Sequence, residues 1–420
     1  MHMRRNITQT MLCCSSRKED SNLEDHKSLL ENIIVKSYND YKLSLKNRSS
    51  LYFLHFSKAG GSTFCASALE NNCKDIHYNT TGGKYKPAQN CWGGEDGPKW
   101  KYTNQIERFW EFNQERQIFN TCNTLAKQSV SQQVSIIMNE NYLPSVSHGL
   151  PAMVCPQFMN VLMIRDPVAR ILSHFSMMTD PSFHSNKGVN QIPLNLLDFS
   201  HYAPIITNNY YIRCLNGFET YIAPKDAIHR KHLDTAIKNL EKFDLIFSLE
   251  LTTNDKDDST LAMKALLQLG LGWETPSFQN KRKTGAGIKL LTDTKIIQNV
   301  SSTLFDQNEQ QQKQQFIRRL SKNHKNHTIE PSSNEIEIIS VRNQLDIELY
   351  HYAFEIASLD MSYFTKLQQM ETQQLLLSFN TTSTIHPFSS TSSSSRNCLA
   401  TCGYICQSRE KQTKRKHDNK

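Results

Sequence analysis

The stretch that most constrains this chain is LYFLHFSKAGGSTFCASALE, residues 51 to 70. An apolar run stops at Lys58, two glycines and two hydroxyl residues follow, and a helical pattern then begins. A buried strand that turns through Gly-Gly into a helix leaves the first helical N–H groups without intrahelical acceptors. Those donors and the positive end of the helix dipole make a ready anion site. Gly60 and Gly61 allow close backbone approach, Ser62 and Thr63 add hydroxyl donors, and Lys58 adds a cation beside them. From the residues alone, two readings stand: a phosphate-type anion site, or a tight strand-to-helix turn with an incidental lysine.

A second strand-to-helix unit lies at VLMIRDPVARILSHF, where the apolar strand MNVLMI ends in Arg165. Asp166 is placed to cap the following helix, and Pro167 suits its first position. Further apolar strands and helical patterns alternate: a short strand near LPSVSH, helices at TNNYYIRCLNG and HLDTAIKNLEKF, a strand at DLIFSL, a helix at STLAMKALLQLGL, and a closing amphipathic helix at EIEIISVRNQLDIELYHYAFEIAS. Such alternation predicts an α/β domain with a mainly parallel sheet. We expect a polar, partly disordered N-terminal segment over 1–48 with a weak helical pattern, and a folded domain over 49–370. A Gly- and Asn-rich loop inserts at 71–98, with polar helical sequence after it in NQIERFWEFNQERQIFN. A disordered Ser/Thr-rich and basic tail is expected over 371–420.

Composition removes some function classes. The formal charge of +8 is half accounted for by the last twelve residues, REKQTKRKHDNK, with six basic and two acidic side chains. What remains is a mild basicity that suits an anionic small molecule and argues against a nucleic-acid partner. No stretch reaches the roughly 18 apolar residues that a membrane-spanning helix needs, and the first fifty residues lack the apolar core of a signal peptide. The chain has 11 cysteines, an odd number. No Cys/His spacing argues for zinc, and we expect no metal cofactor.

The order of residues at the first turn discriminates further. A nucleoside-triphosphate P-loop places its lysine after the glycines; here it precedes them, in SKAGGST. This arrangement resembles the 5′-phosphosulfate loop of carbohydrate sulfotransferases, H-x-P-K-x-G-G-[ST]-T, with Ser57 where the family has proline. His55, Lys58, Gly60, Gly61, Ser62 and Thr63 match it. The second unit resembles the family's 3′-phosphate motif, in which a strand-terminal arginine and a serine eight residues later bind the nucleotide. Arg165 and Ser173 stand at those positions. Three segments give weaker support in the family's order. VSHGLP resembles the segment that supplies a histidine in the heparan and dermatan 2-O-sulfotransferases, NYYIRCLNG a mid-domain helix, and NQLDIELYHYA a closing helix.

The resemblance implies a P-loop-like three-layer sandwich and a sulfotransferase that uses 3′-phosphoadenosine 5′-phosphosulfate to sulfate a hydroxyl, with a carbohydrate as acceptor. It implies Lys58 at the bridging oxygen, Ala59 through Thr63 around the 5′-phosphosulfate, and Arg165 with Ser173 on the 3′-phosphate. His148 is the general base, and Arg282 and Lys283 form a late basic loop over the nucleotide. It further implies Golgi placement through an N-terminal anchor. The sequence displays no such anchor, which keeps a cytoplasmic location open. The residues themselves also leave open a nucleotide-dependent phosphotransferase and a non-catalytic nucleotide- or glycan-binding module. On the same reading His55 is a packed core residue and Arg170 a structural one. Arg213 is either an anion contact or locally paired, and Glu250 is an acceptor-site candidate.

Overall fold

The computed structural model describes residues 23–46, 48–74, 121–131, 133–140, 142–145, 150–179, 195–253, 257–274, 330–380 and 398–408. Helix α1 (Leu23–Leu45) leads into β1 (Ser50–His55) and α2 (Gly61–Glu70). After them come α3 (Cys122–Ser131), β2 (Ile136–Asn139), β3 (Phe158–Ile164) and α4 (Pro167–Thr179). Short helices α5 (Leu196–Tyr202), α6 (Pro204–Thr207), α7 (Tyr210–Asn216) and α8 (Phe218–Tyr221) precede α9 (Arg230–Leu240) and β4 (Leu245–Ser248). Then follow α10 (Leu249–Thr253), α11 (Asp257–Ala265) with a π-helical turn at Leu266–Gly270, α12 (Ser333–Arg342), α13 (Gln344–Asn380) and a hairpin of β5 (Cys398–Cys402) and β6 (Ile405–Ser408).

The central sheet has strand order β2-β1-β3-β4 and is parallel throughout. Side chains alternate between its faces as the period of a strand requires. Tyr52, Leu54, Ile137, Phe158, Leu162 and Ile246 enter one core with α3, α7, α9 and the first half of α13. Leu51, Phe53, Ile136, Met138, Met159, Val161, Met163 and Phe247 enter the other, with α1, α2, the π-helical turn and the later part of α13. Both faces are therefore covered, which explains why the strands read as continuous apolar runs. The architecture is the expected three-layer α/β sandwich.

Helix α13 wraps the β4 edge: Leu349 to Ala357 serve the first core and Met361 to Leu367 the second. Between them, buried Asp360 accepts the Ile246 N–H at 3.1 Å, which satisfies an edge donor of β4.

Several expectations change. Of the strand expected at 143–148 only residues 143–145 are described, and they form no strand: Ser145 makes isolated bridges to Thr121 and Ala152, and the second strand lies earlier, at Ile136–Asn139. The closing helix is two helices. Asn343 breaks it because its buried side chain donates to Thr207 O at 2.7 Å and Ile339 O at 2.8 Å instead of lying along a helix surface. The N-terminal segment includes a packed helix, whose Tyr38, Tyr41 and Leu45 are buried. The tail region holds the end of α13 and a hairpin, where disorder was expected. Cys402 bonds to Cys73 across 329 residues, and the Tyr404 N–H donates to Leu271 O at 3.1 Å. The polar helix expected in NQIERFWEFNQERQIFN, and the 71–98 loop beyond residue 74, lie outside the described residues.

Candidate anion site at the sheet switch point

β1 has β2 on one side and β3 on the other. The connections that leave β1 and β3 therefore diverge, and the crevice at the carboxyl ends of these strands is a topological switch point. His55 pairs with Met163, so the two following turns start level with each other. These are the Lys58 turn and the Arg165 turn.

The first turn is held tightly. Gly60 adopts φ +92, and a Cβ there would stand 2.7 Å from Met163 Sδ. At Gly61 a Cβ would stand 1.9 Å from His55 Nε2, so the imidazole occupies the space that any side chain would need. His55 is accordingly a buried core residue, stacked beside Phe53 with ring centroids 5.9 Å apart. Gly60 O accepts the amides of Thr63 at 3.0 Å and Phe64 at 3.1 Å, while Gly61 at the helix start has no intrahelical acceptor for its own. Ser57 has a use for the N–H that proline would lack: it donates to Tyr210 OH at 3.4 Å, and Tyr210 OH donates to Glu140 O at 3.1 Å. Lys58 is half-buried in a left-handed conformation, φ 68, with its ammonium 3.7 Å from Met177 Sδ on α4. Met177 is one helical turn beyond Ser173, so the ammonium lies along the helix face that carries this serine.

The second turn sits against the first. Arg165 Nη1 donates to Lys58 O at 3.1 Å. Tyr211 grips the Arg165 backbone from behind: its hydroxyl donates to Arg165 O at 2.6 Å and receives the Arg165 N–H at 3.3 Å. Glu250 accepts the Asp166 N–H at 2.9 Å and the Ser248 hydroxyl at 2.8 Å. That arrangement gives Glu250, an acceptor-site candidate from the sequence, a structural task. Asp166 caps α4 through the Ala169 N–H at 2.7 Å, and burial raises its pKa against that hydrogen bond.

Behind this surface lies a buried polar layer. Arg170 is fully buried, stands 4.5 Å over the Tyr210 ring and donates to Ile206 O, while its Nε and Nη1 have no hydrogen-bond partner. His174, one turn later and also buried, has an unpartnered Nδ1. Burial, then Arg170 and Lys58, holds its pKa well below the ordinary histidine range, so the imidazole is neutral at pH 7.

Arg213 is no anion contact. Its guanidinium donates to Asn208 O at 2.7 Å and Ala223 O at 2.5 Å, with Thr220, Tyr221 and Pro224 carbonyls at 3.2 to 3.3 Å. It is a buried hub that fixes the chain from α7 to residue 224.

The mid-domain and closing-helix segments interlock. Asn209 N–H donates to Asn343 Oδ1 at 2.8 Å, and Asp346 N–H donates to Asn209 Oδ1 at 3.1 Å. Asp346 takes the Tyr211 and Ile212 amides at 2.9 and 3.0 Å, and so caps α7. Burial nevertheless pushes its pKa up to about 6.

Lys58 through Thr63, Arg165 and Ser173 thus follow the carboxyl ends of the two central strands, β1 and β3. His148, Arg282 and Lys283 lie outside the described residues. Tyr211 was not among the candidates, and Glu250 was one only as an acceptor contact. Tyr211 lies inside a motif read for its asparagine and arginine, and no spacing signal ties it to residue 165. Among the described residues no group of three or more His, Cys, Asp or Glu could hold a metal ion, and no helix is long and apolar enough to cross a membrane. Compared with models of known protein families, with curated proteins and with solved structures, the chain matches none.

Proposed function

We propose that this chain is a sulfotransferase that moves the sulfuryl group of 3′-phosphoadenosine 5′-phosphosulfate onto a hydroxyl of a carbohydrate. The observation that carries the reading is the 3.1 Å bond from Arg165 to the Lys58 carbonyl. It brings a lysine-first glycine turn and a strand-terminal arginine within reach of a single nucleotide. The residues fit such a ligand. A helix start with glycine on both sides of its first amide suits the 5′-phosphosulfate, and a planar guanidinium suits the 3′-phosphate, with Ser173 on the same helix face as the lysine contact.

The reaction is an in-line displacement. The acceptor oxygen forms a bond to sulfur as the sulfur–oxygen bond to the 5′-phosphate breaks, and that electron pair leaves on adenosine 3′,5′-bisphosphate. Lys58 stabilises the charge that develops on the bridging oxygen, and the amides of Gly60 and Gly61 with the hydroxyls of Ser62 and Thr63 hold the phosphosulfate; the Ala59 and Thr63 amides, expected to join them, donate instead to Phe56 O and Gly60 O, each at 3.0 Å. The acceptor proton passes to a general base, which we assign to His148. Arg282 and Lys283 complete the nucleotide contacts.

The disulfides support a Golgi lumen assignment. Cys73–Cys402 and Cys122–Cys155 are bonded, and buried Cys214 is free. Such bonds persist in oxidising compartments.

Transfer of label from radiolabelled 3′-phosphoadenosine 5′-phosphosulfate across a panel of glycans, phenols and simple alcohols tests the reading. Transfer to a glycan that falls by about a hundredfold or more in Lys58→Ala, the usual scale for a lost transition-state donor, is expected. No transfer to any acceptor, or Lys58→Ala turnover equal to that of the wild type, rejects it.

A further inference from the structure

We propose that Arg165 is a strut between the two halves of the anion site. It sets the shape of the Lys58 turn as well as facing a phosphate, and Tyr211 locks it in place. This inference rests on the nucleotide reading above but concerns a different task for the residue. Lys58 is a non-glycine residue in the left-handed region, φ 68, which the chain adopts only where its surroundings enforce it. Two contacts enforce it. The Lys58 carbonyl is held by Arg165 Nη1 at 3.1 Å, and the flanking Ser57 N–H by Tyr210 OH at 3.4 Å.

Arg165 can hold the turn only if its own backbone is fixed. Tyr211 OH bridges its carbonyl at 2.6 Å and its amide at 3.3 Å, and the Tyr211 ring is itself stacked on Phe56 with centroids 4.4 Å apart. Phe56 directly precedes the Lys58 turn. The loop, the arginine and the tyrosine therefore form a closed ring of contacts: Phe56 to Tyr211, Tyr211 to Arg165, and Arg165 back to Lys58. A guanidinium has five N–H donors, so one can remain on Lys58 O while others face a phosphate. A lysine at 165 would keep the charge but could not span both partners in a fixed plane.

The consequence separates this task from a phosphate contact. If Arg165 only gripped the 3′-phosphate, its replacement would spare any ligand without that group. A strut makes the replacement felt at the 5′ end as well. The test titrates adenosine 5′-phosphosulfate, which lacks the 3′-phosphate, and adenosine 3′,5′-bisphosphate into wild type, Arg165→Lys and Tyr211→Phe. Arg165→Lys is expected to weaken both ligands by about tenfold or more, the usual scale for a charge-assisted hydrogen bond. Tyr211→Phe retains the aromatic stack and is expected to weaken both by about threefold to tenfold. Loss confined to adenosine 3′,5′-bisphosphate in Arg165→Lys overturns the strut. If the wild type binds neither ligand, it is the nucleotide reading that fails. The strut is then decided by hydrogen exchange of residues 56–62 in the ligand-free proteins. Faster exchange in both variants supports it, and unchanged exchange overturns it.

Discussion

Gly61→Ala should break the first turn through His55, and the size of the effect follows from the geometry. An added Cβ would stand 1.9 Å from Nε2, 2.0 Å from Cδ2 and 2.2 Å from Cε1 of that imidazole. Ordinary carbon contacts lie near about 3.5–4.0 Å, so ring and helix start must separate by roughly 1.5 Å. The ring has little room to retreat, being 5% exposed and lying beside Phe53. Nor can the helix start shift freely, because a Cβ at adjacent Gly60 would already stand 2.7 Å from Met163 Sδ. We therefore expect a cost near the top of the overpacking range, about 3 kcal/mol. His55→Ala alone should cost about 2–5 kcal/mol by leaving a cavity. In the double variant the new methyl enters the vacated space, so the total should fall short of the sum by about 2 kcal/mol or more. Urea unfolding monitored by fluorescence, with disulfides intact, measures all four proteins. Costs that add within about 0.5 kcal/mol would refute the argument, because the clash would then not be with His55.

Two further perturbations probe the frame around the site. Cys402→Ser opens a 329-residue covalent closure and should lower stability by about 2–5 kcal/mol; a loss below about 0.5 kcal/mol in chemical unfolding would mean that the hairpin docks without needing the bond. Asp346 has a folded pKa of about 6, above its unfolded value of about 3.9. The native state therefore binds this proton more tightly, and the contribution of Asp346 to stability declines as pH rises from about 4 to about 6. His174 acts in the opposite sense, since its lowered pKa makes stability fall as pH drops below its unfolded value of about 6.5. Because the two overlap, the comparison that isolates Asp346 is wild type against Asp346→Asn at each pH. The stability difference should shift in favour of the variant between pH 4 and 7, and a difference that is flat with pH would contradict the assignment.

The parts of the fold that the sequence disclosed are those with local signals. Lys58-Ala59-Gly60-Gly61 follows a six-residue buried strand and opens a helix, so spacing alone locates it. Asp166 and Pro167 announce the start of α4 in the same way. What escaped depended on distant partners. β2 is four residues long and gains its identity from pairing with β1. The β5–β6 hairpin sits in a polar, serine-rich stretch of sequence, and its place comes from partners more than 100 residues away: the Cys73 disulfide, the Leu269 and Leu271 carbonyls and the Tyr38 hydroxyl. Arg213 showed the same limit at the level of function. A helical arginine reads as an available cation until the chain turns five carbonyls toward it. Tyr211 is the site's clearest example, for its importance lies wholly in reaching the backbone of residue 165.

We propose that the Lys58 turn and the Arg165 turn hold the two ends of one nucleotide. Calorimetric titration of the wild-type chain with adenosine 3′,5′-bisphosphate and, separately, with ATP and magnesium tests it most directly. The bisphosphate is expected to bind at least about tenfold more tightly than ATP, a difference of about 1.4 kcal/mol, and binding is expected to weaken in Lys58→Ala and in Arg165→Ala. Equal affinity for the two nucleotides, or tighter binding of ATP, would contradict it.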